Sequence, residues 1–192
     1  FPEVGTEERK IPGTDSKVKY FTLEEQANHA LYIGKENDAV RLYDVSGKLY
    51  DTENKISKGK KGCVAYVITL DGKFIVHSHI NPGSGEFSYR HSTLSGGAPV
   101  ICSGLMTVKN GKVTYIDNNS GHYKPEDAHL YNAVKLLKDY GVFAKDAKVV
   151  CLGSWRSILK EFPILYKIPA RKEIPEKFLK RMEKKGKDGL SK

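Results

Sequence analysis

Two histidines separated by one residue, His77 and His79, form the first group of side chains whose types and spacing suit chemistry. On a strand, residues two apart point to the same face, so the two imidazoles would lie side by side. Together with His91 or His122 they would offer the nitrogen ligands that zinc binds. No third residue has a ligand-like spacing, so a polar strand end is the favoured interpretation and no metal is predicted.

The segment "RHSTLSGG" is the second group, since it places Arg90, His91, Ser92 and Thr93 beside two flexible glycines. Arginine can hold an anion, histidine titrates near neutral pH, and the hydroxyls can form hydrogen bonds. These side chains are therefore candidates for a binding site. The alternative is a polar edge strand that enters a turn, and local chemistry alone favours this alternative.

The segment "DNNSGHYKPEDAH" is the third group, and it precedes a helix predicted to begin at Pro125. Its candidate binding residues are Ser120, Gly121, His122 and Tyr123. The N-terminus of a helix attracts anions, which favours a site. The alternative is a helix cap with the tyrosine packed beneath it, and local chemistry favours the cap. A site would require His91 and His122 to lie near each other at the end of the sheet.

The elements around these groups predict an α+β fold with a mainly antiparallel sheet built from hairpins and flanked by helices. Three Xaa-Gly pairs mark the hairpin turns: Ser46-Gly47, Asp71-Gly72 and Asn110-Gly111. The residues 81–99 read as a long loop with a short strand around Phe87 to Ser92. The segment "KVVCLGS" is predicted to be a further buried strand.

Three helices are predicted beside this sheet. The first is "TLEEQANHALYI", where Thr22 and Glu25 have the spacing of a capping box. The second begins at Pro125 and ends at Gly141, because glycine tolerates the left-handed conformation that follows many helices. The third is "EKFLKRMEKKGK" near the C-terminus.

The composition is that of a globular protein: 39% of the 192 residues are hydrophobic and 29% are charged. We expect one domain over residues 20–170, an irregular arm over 1–19 and a basic tail over 171–192. The tail has nine lysines and arginines against four acids, more than half of the net charge of +9. No apolar run suffices for a transmembrane helix, and the concentration of charge in the tail argues against a nucleic-acid partner. The cysteines Cys63, Cys102 and Cys151 are predicted to be buried, reduced thiols.

Four features in this order carry a resemblance to a known family: "VRLYDVSGKLYDT", "RHSTLSGGAPV", the Asn110-Gly111 hairpin, and "NNSGHYKP" before a helix. They resemble a domain shared by plant IQ-motif calmodulin-binding proteins and by a set of bacterial type III or type IV effectors and toxin C-termini. The resemblance spans residues 18–152. It implies a secreted or translocated effector that acts on a host protein in a reducing cytosol.

Some effectors of this kind are similar to mono-ADP-ribosyltransferases, which have a split antiparallel sheet and cleave NAD. The resemblance then implies that Arg41 grips a phosphate of NAD and that Ser92 and Thr93 line the nicotinamide pocket. The catalytic carboxylate would be Glu86 or Glu126, because family members carry Ala-Gly-Glu where this chain has Ser-Gly-Leu, ending at Leu105. This departure predicts a degenerate enzyme or a different activity. The remaining cleft residues would be Arg90, His91, Ser120, Gly121, His122 and Tyr123.

The alternative is a non-catalytic binding module of the same family, and the sequence leaves the choice open. In this interpretation the segments "RHSTL" and "SGHYKP" form a groove, and the basic tail binds calmodulin or another acidic surface. The tail segment "KFLKRMEKK" is basic and amphipathic, with Phe178, Leu179 and Met182 as apolar anchors. A solvated C-terminal helix is the competing interpretation. The plant proteins use a separate IQ motif, which this sequence lacks.

Overall fold

The computed structural model of the protein describes residues 17–80, 87–152 and 171–190. Twelve strands and four helices are assigned within these ranges. The strands are β1 Lys17–Val18, β2 Ala30–Glu36, β3 Ala39–Tyr43, β4 Ile56–Ser57, β5 Lys60–Lys61, β6 Val64–Thr69, β7 Phe74–His77, β8 Phe87–Ser88, β9 Val100–Lys109, β10 Lys112–Asp117, β11 Phe143–Cys151 and β12 Arg171–Glu173. The helices are α1 Leu23–Asn28, α2 His91–Leu94, α3 Asp127–Asp139 and α4 Pro175–Leu190.

Eight of the strands form one sheet in the order β12-β11-β10-β9-β6-β7-β2-β3. Every neighbouring pair in this sheet is antiparallel except β10 and β11, which are parallel and are connected through α3. Two small two-stranded sheets, β1-β8 and β4-β5, lie beside it. The predicted α+β fold with a mainly antiparallel sheet is confirmed. Because the eight strands are continuous, the described strands do not form the two separate halves of an ADP-ribosyltransferase-like sheet.

The hairpins lie where the Xaa-Gly pairs predicted them. Asn110 and Gly111 have φ angles of 48° and 72°, so both adopt the left-handed conformation that joins β9 to β10 in a two-residue turn. Gly72 has the same conformation between β6 and β7. The turn at Ser46-Gly47 returns the chain only far enough for a single bridge between Tyr43 and Leu49.

The helix α1 is shorter than the sequence pattern predicted. The capping box at its start is confirmed, since Glu25 N–H donates to Thr22 Oγ1 and Thr22 N–H donates to the Glu25 carboxylate. The helix ends at Asn28, however, and Ala30 and Leu31 belong to β2, where they pair with β7. Pairing with a buried strand outweighs the weak helical spacing of these two residues.

Two further boundaries differ from the prediction. The strand after the loop covers only Phe87–Ser88, and the residues His91–Leu94 form the short helix α2 instead. The helix α3 begins at Asp127 rather than at Pro125, with Glu126 as its N-cap. Gly141, with φ of 73°, follows its end as predicted.

The core has one part on each face of the sheet, because alternate side chains of a strand point to opposite faces. Tyr66, Met106 and Leu137 belong to the face covered by α3 and α4, and Val67 and Leu105 belong to the face covered by α2. The three cysteines are buried and form no disulfide, as predicted. No helix within the described ranges is long and apolar enough to span a membrane.

The C-terminal segment is part of this packed unit. The strand β12 extends the sheet at β11, and α4 packs against α3. Phe178 is completely buried in the core and Leu179 is nearly so. Arg181 forms an ion pair with Glu173 at 2.8 Å, which fixes α4 to β12.

Candidate functional site

The two sequence blocks "RHSTLSGGAP" and "SGHYKP" meet in the structure through one buried side chain, Tyr123. Its hydroxyl lies 2.6 Å from Ser95 Oγ and donates to the carbonyl of Ala98 at 2.7 Å. Its ring packs in the core on the α2 side of the sheet, next to Leu94. Burial raises the pKa of Tyr123 to about 12, so the hydroxyl stays protonated and keeps its donor. The tyrosine of the second block therefore holds the turn that follows α2.

A buried carboxylate, Asp117, organises the start of the second block. Its Oδ1 accepts hydrogen bonds from the backbone N–H groups of Leu105 and Asn119 at 2.7 and 2.8 Å, and its Oδ2 accepts from the Tyr115 hydroxyl at 2.6 Å. Burial raises the pKa of Asp117 despite these donors. Gly104 lies directly against it, because a Cβ at residue 104 would be 2.0 Å from the Asp117 carbonyl oxygen. Asp117 thus locks β9, β10 and the following loop together.

The rest of the loop is held in the same manner. Asn118 is buried, and its amide donates to the Pro125 carbonyl while its side-chain oxygen accepts from Leu152 N–H, both at 2.8 Å. Ser120 is completely buried, and its Oγ accepts from Tyr123 N–H at 3.4 Å. Gly121 and His122 are exposed. Most polar side chains of this loop bond to the backbone around them, but the predicted packing of Tyr123 beneath the helix is wrong, because Tyr123 lies on the face of the sheet opposite to α3 and the N-cap of α3 is Glu126.

An imidazole pair lies beside these blocks. The rings of His79 and His91 are 4.6 Å apart between centroids, in an edge-to-face arrangement. His91 is buried and its Nε2 lies 2.9 Å from the Gly104 carbonyl oxygen, so this nitrogen carries the proton. His79 Nδ1 lies 2.9 Å from Ser57 Oγ. Burial, assisted by the charges of Lys58 and Arg90, lowers the pKa of His79 to about 3.

Two cations, Lys58 and Arg90, lie close enough to His79 for their charges to act on it. Lys58 donates to the backbone carbonyl and the side-chain oxygen of Asn119, and Lys60 lies 3.7 Å above the ring of Tyr115. The β4-β5 hairpin that carries both lysines is thereby tied to the loop after β10. The group can attract anions at its surface, but its inner side chains are engaged in hydrogen bonds within the fold.

The residues predicted to bind NAD lie in different parts of the structure. Arg41 is on β3 and donates to the Asn110 carbonyl at 2.6 Å, whereas Ser92 and Thr93 are buried on α2. Thr93 Oγ1 accepts from Arg90 N–H. Within the described ranges no hydrogen bond joins Arg41 to either hydroxyl residue. The geometry needed for Arg41, Ser92 and Thr93 to share a phosphate-and-nicotinamide pocket stays a prediction.

The predicted catalytic carboxylates are not brought to these hydroxyls either. Glu86 lies outside the described residues. Glu126 is exposed and forms the N-cap of α3. Leu105, where the resemblance implies a glutamate, is buried in the core, and the Oγ of nearby Ser103 is buried with no hydrogen-bond partner among the described residues.

The metal interpretation of the histidines finds little geometric basis. His77 stacks on Tyr89 at 5.1 Å and contacts His29, while His79 contacts His91. The predicted pair therefore belongs to two different ring clusters. No group of three or more potential metal ligands occurs in the part of the chain that the structure describes. His122 lies at the surface against the ring of Tyr123, while His91 is inside.

The helix α4 presents a strongly basic surface. Its exposed lysines include Lys177, Lys180, Lys184 and Lys185. The described acids of the helix bond to α3: Glu176 accepts from Lys138 at 2.6 Å, and Glu183 accepts from the Tyr131 hydroxyl. The predicted anchors Phe178 and Leu179 are in the core and Met182 is half-buried, so they are not available at this surface.

Sequence reasoning missed the most constrained polar residue, Asp117, together with Tyr66 and Tyr115. The Tyr66 hydroxyl donates to the Asp117 carbonyl at 2.8 Å from the opposite face of the sheet. A signal existed, because Asp117 ends a strand in which Tyr115 lies two residues earlier on the same face. The glycine at residue 104 has no such signal, since its close contact depends on the pairing of β9 with β10.

Residues 35–130 match the family of the IQ motif-containing protein middle domain, and the chain belongs to this family. The match includes both sequence blocks and ends within the first turn of α3. No curated protein and no solved structure matches the chain. The link to plant IQ-motif proteins is confirmed, and the link to bacterial effectors and ADP-ribosyltransferases stays a prediction.

Proposed function

We propose that the chain is a protein-binding module that recognises an acidic partner through the lysine surface of α4. The observation that carries this proposal is the orientation of the helix. Phe178 and Leu179 fix one side in the core, so the four exposed lysines point outward together. The described acids of the helix, Glu176 and Glu183, bond to Lys138 and Tyr131 of α3, whereas the four lysines stay exposed.

The site geometry supports binding rather than catalysis. The polar side chains of the two sequence blocks are largely buried and bonded within the fold. A residue that must contact a substrate needs access to it, and Ser92 and Thr93 are almost completely buried. Membership in a family of IQ motif-containing proteins is consistent with a protein partner.

Calmodulin is the acidic partner that the family suggests, and the buried anchors determine how it would bind. A groove that takes apolar anchors from a target helix would require Phe178 to leave the core, at a cost of about 3–5 kcal/mol. We therefore propose contact through charge, with α4 still packed on α3. Such binding weakens strongly as salt concentration rises.

A binding experiment tests this proposal. The full chain is titrated with calcium-loaded calmodulin and, separately, with a polyglutamate peptide, while isothermal calorimetry records affinity. The triple variant Lys177→Glu, Lys180→Glu, Lys184→Glu should bind at least about tenfold more weakly, equivalent to about 1.4 kcal/mol.

The matched control reverses three exposed lysines elsewhere, at Lys35, Lys48 and Lys109, and so has the same net charge. It should retain most of the affinity. Equal weakening by both triple variants would show that only overall charge matters and would refute the lysine surface as the site. The same conclusion follows if neither probe binds the wild-type chain.

The interpretation as a translocated effector that cleaves NAD to modify a host protein stays a prediction, and no contact described above favours it. Its test is incubation of the wild-type chain with labelled NAD and host lysate. Turnover of NAD that is abolished by Arg41→Ala and by Ser92→Ala would contradict the binding module as the primary function.

A further inference from the structure

A cleft of about 320 Å³ lies away from the two sequence blocks, between the start of β2, the turn after β3 and the end of β7. Its size is within the range of small-ligand sites, which is roughly 300–1,000 Å³. Its polar side chains include His29, His77, Asp44 and Lys55. Apolar side chains such as Leu31 and Val45 form other parts of its wall.

The two imidazoles of the cleft are fixed in orientation and in the position of their protons. His29 Nδ1 lies 2.8 Å from the Glu25 carbonyl oxygen, and His77 Nδ1 lies 2.6 Å from the Ser78 carbonyl oxygen. A carbonyl oxygen only accepts, so each Nδ1 carries a proton. In the neutral rings each Nε2 is then a hydrogen-bond acceptor. The ring centroids are 5.0 Å apart, and both residues line the cleft.

Aromatic packing holds this pair in place. Phe21 stacks on His29 with 4.6 Å between centroids, and Tyr89 stacks on His77 with 5.1 Å. Burial lowers the pKa of His77, which favours the neutral ring and its acceptor at neutral pH. The arrangement is therefore preorganised to accept hydrogen bonds from a donor group in the cleft.

One anion and one cation complete the wall. Asp44 Oδ1 accepts hydrogen bonds from Ser46 N–H, Ser46 Oγ–H and Lys48 N–H. These bonds lower the pKa of Asp44 and keep it ionised, and they all involve the same oxygen. Lys55 lies close enough to His77 for its charge to add to the lowering of that pKa. A cleft with one charge of each sign favours a ligand that also carries both.

We propose that this cleft binds a free α-amino acid with an apolar side chain. The ammonium group of the ligand donates to the Asp44 carboxylate and to the Nε2 atoms of His29 and His77. Its carboxylate accepts from Lys55, and its side chain packs against Leu31 and Val45. This ligand matches the donors, the acceptors, both charges and the apolar wall of the cleft at once.

The experiment uses the full chain and three ligands that differ in charge: leucine, leucinamide, which lacks the carboxylate, and N-acetyl-leucine, which lacks the ammonium group. Chemical-shift titration by NMR measures each affinity. Leucine should bind at least about tenfold more tightly than either analogue, since each charged hydrogen bond contributes about 1.5–3 kcal/mol.

Two variants assign each charge to its partner. Lys55→Met should weaken the binding of leucine about tenfold and leave the binding of leucinamide unchanged, because leucinamide has no carboxylate for Lys55 to bind. Asp44→Asn keeps an oxygen that can accept the hydrogen bonds of the turn. It should weaken the binding of leucine but leave the binding of N-acetyl-leucine unchanged, because N-acetyl-leucine has no ammonium group. Lys48→Met, on the same turn but outside the cleft wall, is the control and should bind leucine like the wild type.

Three outcomes would overturn the proposal. The first is that none of the three ligands binds. The second is that leucinamide or N-acetyl-leucine binds as tightly as leucine, which would indicate a simple cation or anion site. The third is that Lys55→Met and Asp44→Asn bind leucine like the wild type. The lysines of α4 are unchanged in all these variants, so failure here is distinct from failure of the proposed protein-binding surface.

Discussion

Acid should destabilise the protein through His79, and the structure gives the size of the effect. In the unfolded chain a histidine has a pKa of about 6.5. In the folded protein, burial next to Lys58 and Arg90 lowers the pKa of His79 to about 3. Between these values the unfolded state holds one more proton than the folded state. The free energy of unfolding therefore falls as the pH falls through this window, and it is fully restored above it.

The slope of this loss is about 1.4 kcal/mol per pH unit well inside the window. Lowering the pH from about 7 to about 5 should then remove no more than about 2 kcal/mol through His79 alone, less a discount for its partial contact with solvent. The pKa values of His77 and His129 are also lowered, so the whole protein loses more than this. The contribution of His79 must be isolated by a variant.

The variant His79→Asn removes the titrating group and keeps a polar atom near Ser57 Oγ, where His79 Nδ1 lies. Urea unfolding followed by circular dichroism at both pH values gives the free energy of unfolding of each protein. The variant should lose about 1–2 kcal/mol less than the wild type on acidification. If both proteins lose the same amount, His79 is not held neutral by the fold, and the reasoning from its burial is wrong.

Three substitutions at buried residues, with one control at an exposed glycine, are tested by equilibrium unfolding. Gly104→Ala should lower the free energy of unfolding by more than about 3 kcal/mol or prevent folding, because the new Cβ would overlap the Asp117 carbonyl. The control Gly121→Ala has open space around residue 121 and should change the free energy of unfolding by less than about 1 kcal/mol. Similar effects of the two substitutions would refute the close contact. Tyr123→Phe should lower the free energy of unfolding by about 1–2 kcal/mol, since it removes the hydroxyl that binds the turn after α2. An unchanged unfolding midpoint would mean that the hydrogen bonds of this hydroxyl contribute nothing to stability. Ser103→Ala should raise the free energy of unfolding by about 1 kcal/mol, because it removes a buried hydroxyl that lacks a hydrogen-bond partner among the described residues. A loss of stability would reveal a partner for this hydroxyl.

The hairpins and the general fold could be predicted because their signals are local. Asn110-Gly111 requires a left-handed turn whatever surrounds it, and the strands on either side follow from their alternation. The end of α1 could not be predicted as well. Ala30 and Leu31 fit a helix by spacing, and only the presence of β7 alongside draws them into a strand.

The arrangement of the candidate site depended on contacts that the sequence does not encode locally. The bond of Tyr123 to Ser95 joins residues 28 positions apart, and Arg41 reaches Asn110 across 69 positions. The two blocks do meet, through Tyr123 and Ser95, whereas the groove that they were expected to form stays a prediction. Their polar residues nevertheless proved mostly internal. The sequence could not predict this, because an Asp or Ser beside a turn looks the same in the sequence whether it faces a ligand or a backbone N–H group.

The one parallel pairing of the sheet has a consequence for the order in which the protein can fold. During synthesis β10 can pair with β9 at once through its two-residue turn, but its other edge must wait until α3 and β11 have both been made. Until then the apolar face that includes Met106 and Ile116 lacks its cover of Leu130 and Leu137. A fragment that stops at residue 130, where the family match ends, would keep this face and the β10 edge open permanently. Such a fragment should aggregate, whereas a chain extended through β11 can close the edge.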